Sequence, residues 1–237
     1  MRSTITTFIL SLILTCPILY GQSDTLDIQV IGQMKDAMWK GRISGIIDID
    51  TIGKKEHLYG LGPLENLAGE LLILDGHSYM SQVVTDSTMH ITETYHLKAP
   101  FFAYGHIDTW KEQSLPDSVI TMKQLESYLL HISTYGKQPF MYKLIGIIES
   151  AKIHVFNLPT GSVVSSPEDA RKGQVNYMLT SEHVEILGFF STEHQTIFTH
   201  HDTFMHMHLI NNDLSMMGHV DDLKIKPGAV KLLLPAN

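Results

Sequence analysis

Residues 69–76 read GELLILDG, a carboxylate followed by four aliphatic side chains and a turn dipeptide. Successive side chains on a strand point to opposite faces. Leu71, Leu72, Ile73 and Leu74 therefore make both faces apolar, which suggests a strand buried on both sides. Asp75-Gly76 is a two-residue hairpin turn, and HSYMSQ continues the pattern, so residues 70–82 read as a hairpin. Glu70 is the anomaly. A carboxylate in such a strand is costly unless it is paired, hydrogen-bonded or protonated with a raised pKa. That makes Glu70 a candidate acid/base. The plainer reading is a strand-end residue that reaches solvent.

The remaining segments fit a chain built mostly from strands. IQVIGQ (28–33), GIIDID (45–50) and FFAYGHID (101–108) read as strands, as do MYKLIGII (141–148), KIHVFNL (152–158), VNYMLT (175–180) and HVEILGFFS (183–191). MKDAMWKG (34–41) reads as a short helix ended by Gly41. LPDSVITMKQLESYLLHIST (115–134) is the clearest helix, with Asp117 or Ser118 as its cap. Helical content falls before residue 135, and TYGKQP marks a change of organisation. The expected fold class is α/β (α+β) with few helices, divided into residues 22–137 and a β-rich, metal-binding 138–237.

The N-terminus, MRSTITTFILSLILTCPILYGQSD, has one basic residue, an apolar run and then a polar stretch, the pattern of a secretory signal over residues 1–21. Its apolar run is too short to span a membrane. The expected location is therefore outside the cytoplasm, periplasmic or secreted. Lipid attachment at Cys16 is the second reading, and would be the only tie to a membrane. Without the first 21 residues the chain has 16 Lys+Arg against 25 Asp+Glu, a balance that repels nucleic acid and anionic membranes. Cys16 is the only cysteine, so the mature chain offers no thiolate, and its metal ligands must come from His, Asp and Glu.

MHMHLINNDLSMMGHV (205–220) carries three histidines. His206 and His208 share a strand face. Asn211, Asn212 and Asp213 tolerate the backbone of a tight turn. A hairpin centred between Asn212 and Asp213 sets His206 opposite His219 and His208 opposite Met217, with all three imidazoles on one face. Opposed Cβ atoms lie about 4.5–5.5 Å apart, a span that suits three nitrogens on one Zn²⁺ with an open fourth position. The alternative is a set of histidines covering a sheet face; a one-residue slip would turn His219 away. His200 and His201 read as a solvated loop, with support of the three histidine ligands as the second reading; His106 reads as a satisfied core residue, His77 as exposed, and His194 as a loop residue.

The stretch WKGRISGIIDIDTIGKKEHLYGLGPLENLAGELLILDG resembles the start of bacterial α-acetolactate decarboxylases, as do APFFAYGH, the Gly-Phe-Phe at 188–190 and MHMHLINNDLSMMGHV. The resemblance begins near residue 35 and runs to the C-terminus. It implies two α/β subdomains built on sheets, a catalytic zinc on His206, His208 and His219, and Glu70 near that zinc. The sequence also departs from the family. The position of a substrate-binding arginine falls on His154, that of a C-terminal glutamate on Ala229, and GLGT reads GLGP with Pro63. Lys152, two residues from His154, shares its strand face and could restore the positive charge, although lysine lacks the bidentate fork of arginine. Asp221 and Asp222 are candidates to replace the carboxylate.

The resemblance implies a small 2-hydroxy-3-keto acid as partner, 2-acetolactate as substrate, acetoin as product and no organic cofactor. Zinc would act as Lewis acid, Glu70 as proton donor, and His154 or Lys152 as the cation that holds the carboxylate. Two other readings use the same scaffold: a zinc-dependent ester or lactone hydrolase, and a non-catalytic zinc-binding relative. A homodimer is compatible with the sequence.

Overall fold

The computed structural model describes residues 27–133 and 137–236; the expected signal segment and Cys16 lie outside them. Two antiparallel sheets dominate. Their strands, in chain order, are β1 (Gln29–Gly32), β2 (Ile47–Asp48), β3 (Leu58–Pro63), β4 (Glu70–Leu74), β5 (His77–Val83), β6 (Met89–Glu93), β7 (Lys98–Ala99), β8 (Phe101–His106), β9 (Trp110–Ser114), β10 (Phe140–Ile147), β11 (Ser150–Val155), β12 (Val175–Thr180), β13 (His183–Phe190), β14 (Met205–Asn211), β15 (Met217–Lys224) and β16 (Val230–Pro235). Three helices complete the described chain: α1 (Met34–Lys40), α2 (Met122–Ile132) and α3 (Pro167–Ala170). The six-stranded sheet has the order β1-β8-β3-β4-β5-β6 and the eight-stranded sheet β12-β11-β15-β14-β13-β10-β16-β9. Sheet membership changes between His106 and Trp110, ahead of the 137/138 division expected from sequence, because β9 pairs with β16.

The layers follow from side-chain alternation. On the eight-stranded sheet, Met207, Leu209, Val220 and Ile153 pack with Leu125 and Leu129 of α2. The opposite face carries Leu187, Phe189, Ile210 and Met217, which meet Leu61, Leu72 and Phe101 of the six-stranded sheet. The outer face of that second sheet buries Leu71, Ile73 and Phe102 under Ile49, Ile52 and Leu97. Strand β4 is thus buried on both faces, as its sequence requires. Glu70 has the parity of Leu72 and Leu74, so its side chain lies between the sheets. The turn after β4 is the expected one, with Asp75 at φ 47° and Gly76 at φ 83°.

Two local expectations change. Helix α2 begins one turn later than Asp117 or Ser118 would set it. Thr121 caps it by accepting from the Gln124 N–H, while the Gln124 side-chain carbonyl accepts from the Thr121 N–H at 2.9 Å. This reciprocal box satisfies donors that the earlier residues leave open. Ile120 is committed elsewhere, since its carbonyl accepts from the Ile225 N–H at 2.7 Å. GIIDID forms a strand only at Ile47–Asp48, because the Asp48 side chain accepts from the Asp50 N–H and starts a 3₁₀ turn.

Candidate active site

The floor of the site is a row of histidines across three neighbouring strands. His208 of β14 pairs with His219 of β15, and His219 pairs with His154 of β11. His206 lies two residues from His208 on the same face. The hairpin register differs by two from the expected one, in which His206 faced His219. The cause is a wider turn: Asn211 closes it by donating to the Met216 carbonyl at 3.0 Å, and its side-chain oxygen accepts from the Ser215 and Met216 N–H groups. Leu214 takes the left-handed conformation, φ 57°. A shift of two preserves face parity, so the imidazoles still converge.

The ligating atoms of His206, His208 and His219 all lie within 4.8 Å of one another. His206 Nε2 and His208 Nε2 are 3.3 Å apart. Burial holds His206 down to about 3 and pushes His208 and His219 well below the ordinary 6.5, with neighbouring histidines adding to the effect. All three are therefore neutral, and each offers a lone pair. His206 donates its Nδ1–H to the Phe198 carbonyl at 2.7 Å, which leaves Nε2 as the ligand atom. His208 Nδ1 is buried without a hydrogen-bond partner. Two lone-pair nitrogens in contact beside a third fit a divalent metal and suit an N-donor ion such as zinc.

Glu70 completes the floor from the other sheet. It is 1% exposed, and its Oε1 accepts from the Phe156 N–H at 3.1 Å. Its Oε2 is 3.6 Å from His208 Nε2, and its Oε1 is 4.0 Å from His154 Nε2. Burial pushes its pKa well above 4.5; the Phe156 N–H opposes that shift, and the Asp221 charge adds to it. Glu70 is thus a buried acid rather than a solvated strand end. His154 faces the same space. Its Nδ1 is 2.8 Å from Asp221 Oδ1, and its buried Nε2 has no hydrogen-bond partner.

Above this floor lies a cavity of about 280 Å³ whose lining includes Met34, Met38, Pro63, Phe101 and Phe156. Helix α1 forms one wall. Its first N–H groups lack a side-chain cap, and those of Met34 and Lys35 donate instead to the Ile197 and Thr196 carbonyls. That loop is wound around His194, whose carbonyl accepts from the Ile197, Phe198 and Thr199 N–H groups and whose ring contacts Ser191 Oγ at 2.7 Å.

The sequence profile of the alpha-acetolactate decarboxylase family matches residues 32–234. The chain belongs to this family, a family of carboxy-lyases. Two curated alpha-acetolactate decarboxylases of Lactococcus lactis are similar to it. That of subspecies cremoris is 25% identical over 207 residues, and that of subspecies lactis 28% identical over 204. Each match covers 83% of this chain and 79% of the relative. Among solved structures, alpha-acetolactate decarboxylase from Bacillus subtilis superposes with a TM-score of 0.72 at 18% identity, covering 89% of this chain and 86% of that one. The enzyme from Bacillus subtilis subspecies spizizenii gives 0.70 at 20% identity, covering 89% and 87%. These two likenesses establish the fold, two sheet-based subdomains with few helices.

Within this family member the residues singled out from sequence separate into two groups. His206, His208, His219, Glu70 and His154 meet. Lys152 does not: it is exposed and stands opposite Met178 and Asp222, themselves exposed, where the sheet face has run out into solvent. Ala229 is not in the cavity wall; its carbonyl accepts from the Ile147 N–H at the edge of β16. Of the two aspartates, Asp221 reaches His154, and Asp222 is exposed. His106 is exposed rather than in the core, with its Nε2 2.8 Å from the Lys54 carbonyl. His200 is no solvated loop residue: it lines the cavity and stacks on His219 at 5.4 Å. Arg171 also lines the cavity, and no strand periodicity marks it.

Proposed function

We propose that this protein converts 2-acetolactate to acetoin and carbon dioxide, with zinc held by His206, His208 and His219. The observation that carries the reading is the meeting of three neutral imidazoles and one raised-pKa carboxyl under a small, largely apolar cavity. The reaction takes one proton: the C–CO₂ bond breaks, its electron pair passes to the neighbouring ketone, and one carbon of the resulting enediolate is protonated.

A divalent ion on the three imidazoles would supply Lewis acidity toward the ketone and hydroxyl oxygens. The chain does the rest. Glu70 holds the proton. Its Oε1 is occupied by the Phe156 N–H, so Oε2 is the oxygen free to carry and donate it. His154 is oriented by Asp221, which accepts its Nδ1–H and turns Nε2 toward Glu70 and the bound substrate. Phe101, Phe156, Met34 and Met38 exclude water from the enediolate until the intended proton arrives.

The test is acetoin release from racemic 2-acetolactate by the zinc-loaded chain, with metal-stripped protein and His206→Ala as controls. The expected result is release far above the spontaneous rate, lost in both controls. Background release from a folded protein that holds zinc would overturn the reading.

A further inference from the structure

An anionic ligand in this cavity gains from a permanently charged side chain, and the floor of histidines and Glu70 contains no lysine or arginine. The chain carries a formal net charge of −8. The cavity wall contains Glu70 and Glu168, five histidines, and many apolar side chains. Burial holds three of those histidines, His200, His206 and His219, below the ordinary histidine value. Among the described residues, Arg171 is the one lysine or arginine in that wall. Lys152 of β11 is outside it.

Arg171 is held in place but left unpaired. Helix α3 begins at Pro167 after Ser166, whose side chain accepts from the Asp169 N–H, and Ala170 is fully buried beneath it. The Arg171 N–H donates to the Pro167 carbonyl at 3.2 Å, and its carbonyl accepts from the Gln174 N–H at 3.0 Å. The segment before α3 lies on the end of α1: Gly41, at φ 63°, leaves a Cβ no room against the Val164 carbonyl. The nearest acid in sequence, Asp169, is taken by Lys172 Nζ at 2.7 Å and by the Ser165 hydroxyl at 2.8 Å. No described residue pairs with the Arg171 guanidinium. A fixed backbone, a free planar fork and an opening into a cavity otherwise without a lysine or arginine describe a carboxylate receptor.

We infer that Arg171 binds the carboxylate of the ligand at the cavity rim, so that small 2-hydroxy monocarboxylates enter with the carboxylate toward α3 and their other oxygens toward the histidine floor. The inference deepens the decarboxylase reading by naming the anion-binding residue, and rests on that reading only for the chemical step after binding.

The experiment is calorimetric titration of the zinc-loaded protein with two probes of similar size. One is 2-hydroxyisobutyrate, an unreactive hydroxy acid; the other is acetoin, which is neutral. Arg171→Ala is expected to weaken 2-hydroxyisobutyrate about ten-fold or more, Arg171→Lys to recover part of that loss, and acetoin binding to stay unchanged in both. Equal binding of the acid by wild type and Arg171→Ala would overturn the inference. So would a parallel loss of both probes, which would make Arg171 structural. Acetoin release with Arg171-independent acid binding removes this inference and keeps the decarboxylase reading. Arg171-dependent binding without acetoin release does the reverse.

Discussion

The floor and the rim of the cavity are made by different kinds of chain. The floor comes from β4, β11, β14 and β15, where every functional side chain but Asp221 is nearly sealed: Glu70 is 1% exposed, His208 0% and His219 7%. The rim comes from α1, α3 and the loop around His194, where Trp39, Arg171 and His201 are exposed. On the floor, position is fixed by ladder register and desolvation sets protonation. At the rim, position depends on capping contacts, and the charges stay solvated and are worth less. On the proposed reading, chemistry belongs to the floor and ligand selection to the rim. Perturbing each should therefore change different quantities.

The largest effect is expected from Glu70→Gln. The amide keeps an oxygen for the Phe156 N–H but has no acidic proton. Turnover of 2-acetolactate should fall about 10²-fold or more, with zinc still bound at one per chain and acetoin affinity nearly unchanged. Steady-state kinetics with metal analysis of the same sample checks it. Loss of zinc in this variant would show that Glu70 supports the histidine floor rather than donating a proton.

This contrast also explains what could be read from the chain. The floor was legible because strands impose a period of two. His206 and His208 had to share a face, whereas Glu70 at the strand end could equally have reached solvent, and only its packing between the sheets settled that it is buried. The loop geometry that moved the hairpin register was not legible, but a shift of two left the parity intact. The adjacency of His154 to His219 depends on β11 pairing with β15, a long-range choice that no local pattern states. Strand β3 escaped notice because Gly60 and Gly62 break its pattern; Gly60 is there because a Cβ would meet the Phe102 ring at 2.5 Å. Arg171 went unmarked, and His200 was only the second choice as a neighbour of the ligands, for a simpler reason. They sit on a four-residue helix end and an irregular loop, where neither spacing nor hydropathy announces direction.

Removing the metal should expose the cost of the floor. In the metal-stripped protein burial keeps His206, His208 and His219 neutral, whereas the unfolded chain protonates them near 6.5. A folded pKa below the unfolded one means that the unfolded state gains protons first as pH falls. Stability is then lost progressively below pH 6.5, toward the folded value of about 3 for His206. Each imidazole contributes up to about 1.4 kcal/mol per pH unit in that window. The stripped protein should melt several degrees lower at pH 5.5 than at pH 7.5, and His208→Phe should flatten the slope. A flat wild-type profile would mean that water reaches the imidazoles.

The smallest effect belongs to the rim. Lys172 and Ser165 hold the Asp169 carboxyl well below its ordinary range. Because its folded pKa is depressed, the stability it contributes is present above pH 3.8 and is lost as pH falls below that value. Near neutral pH the carboxylate accepts from the Ser165 N–H and hydroxyl and from Lys172, contacts that tie down the short helix α3 beside Arg171. Asp169→Ala should therefore raise KM for 2-acetolactate by about three-fold, the scale of an exposed ion pair, leave kcat almost unchanged, and lower the melting temperature at pH 7.5 slightly. A fall in kcat with KM constant would break the division between floor and rim, because it would show that the segment carrying Arg171 reaches the reacting atoms as well as the ligand's charge.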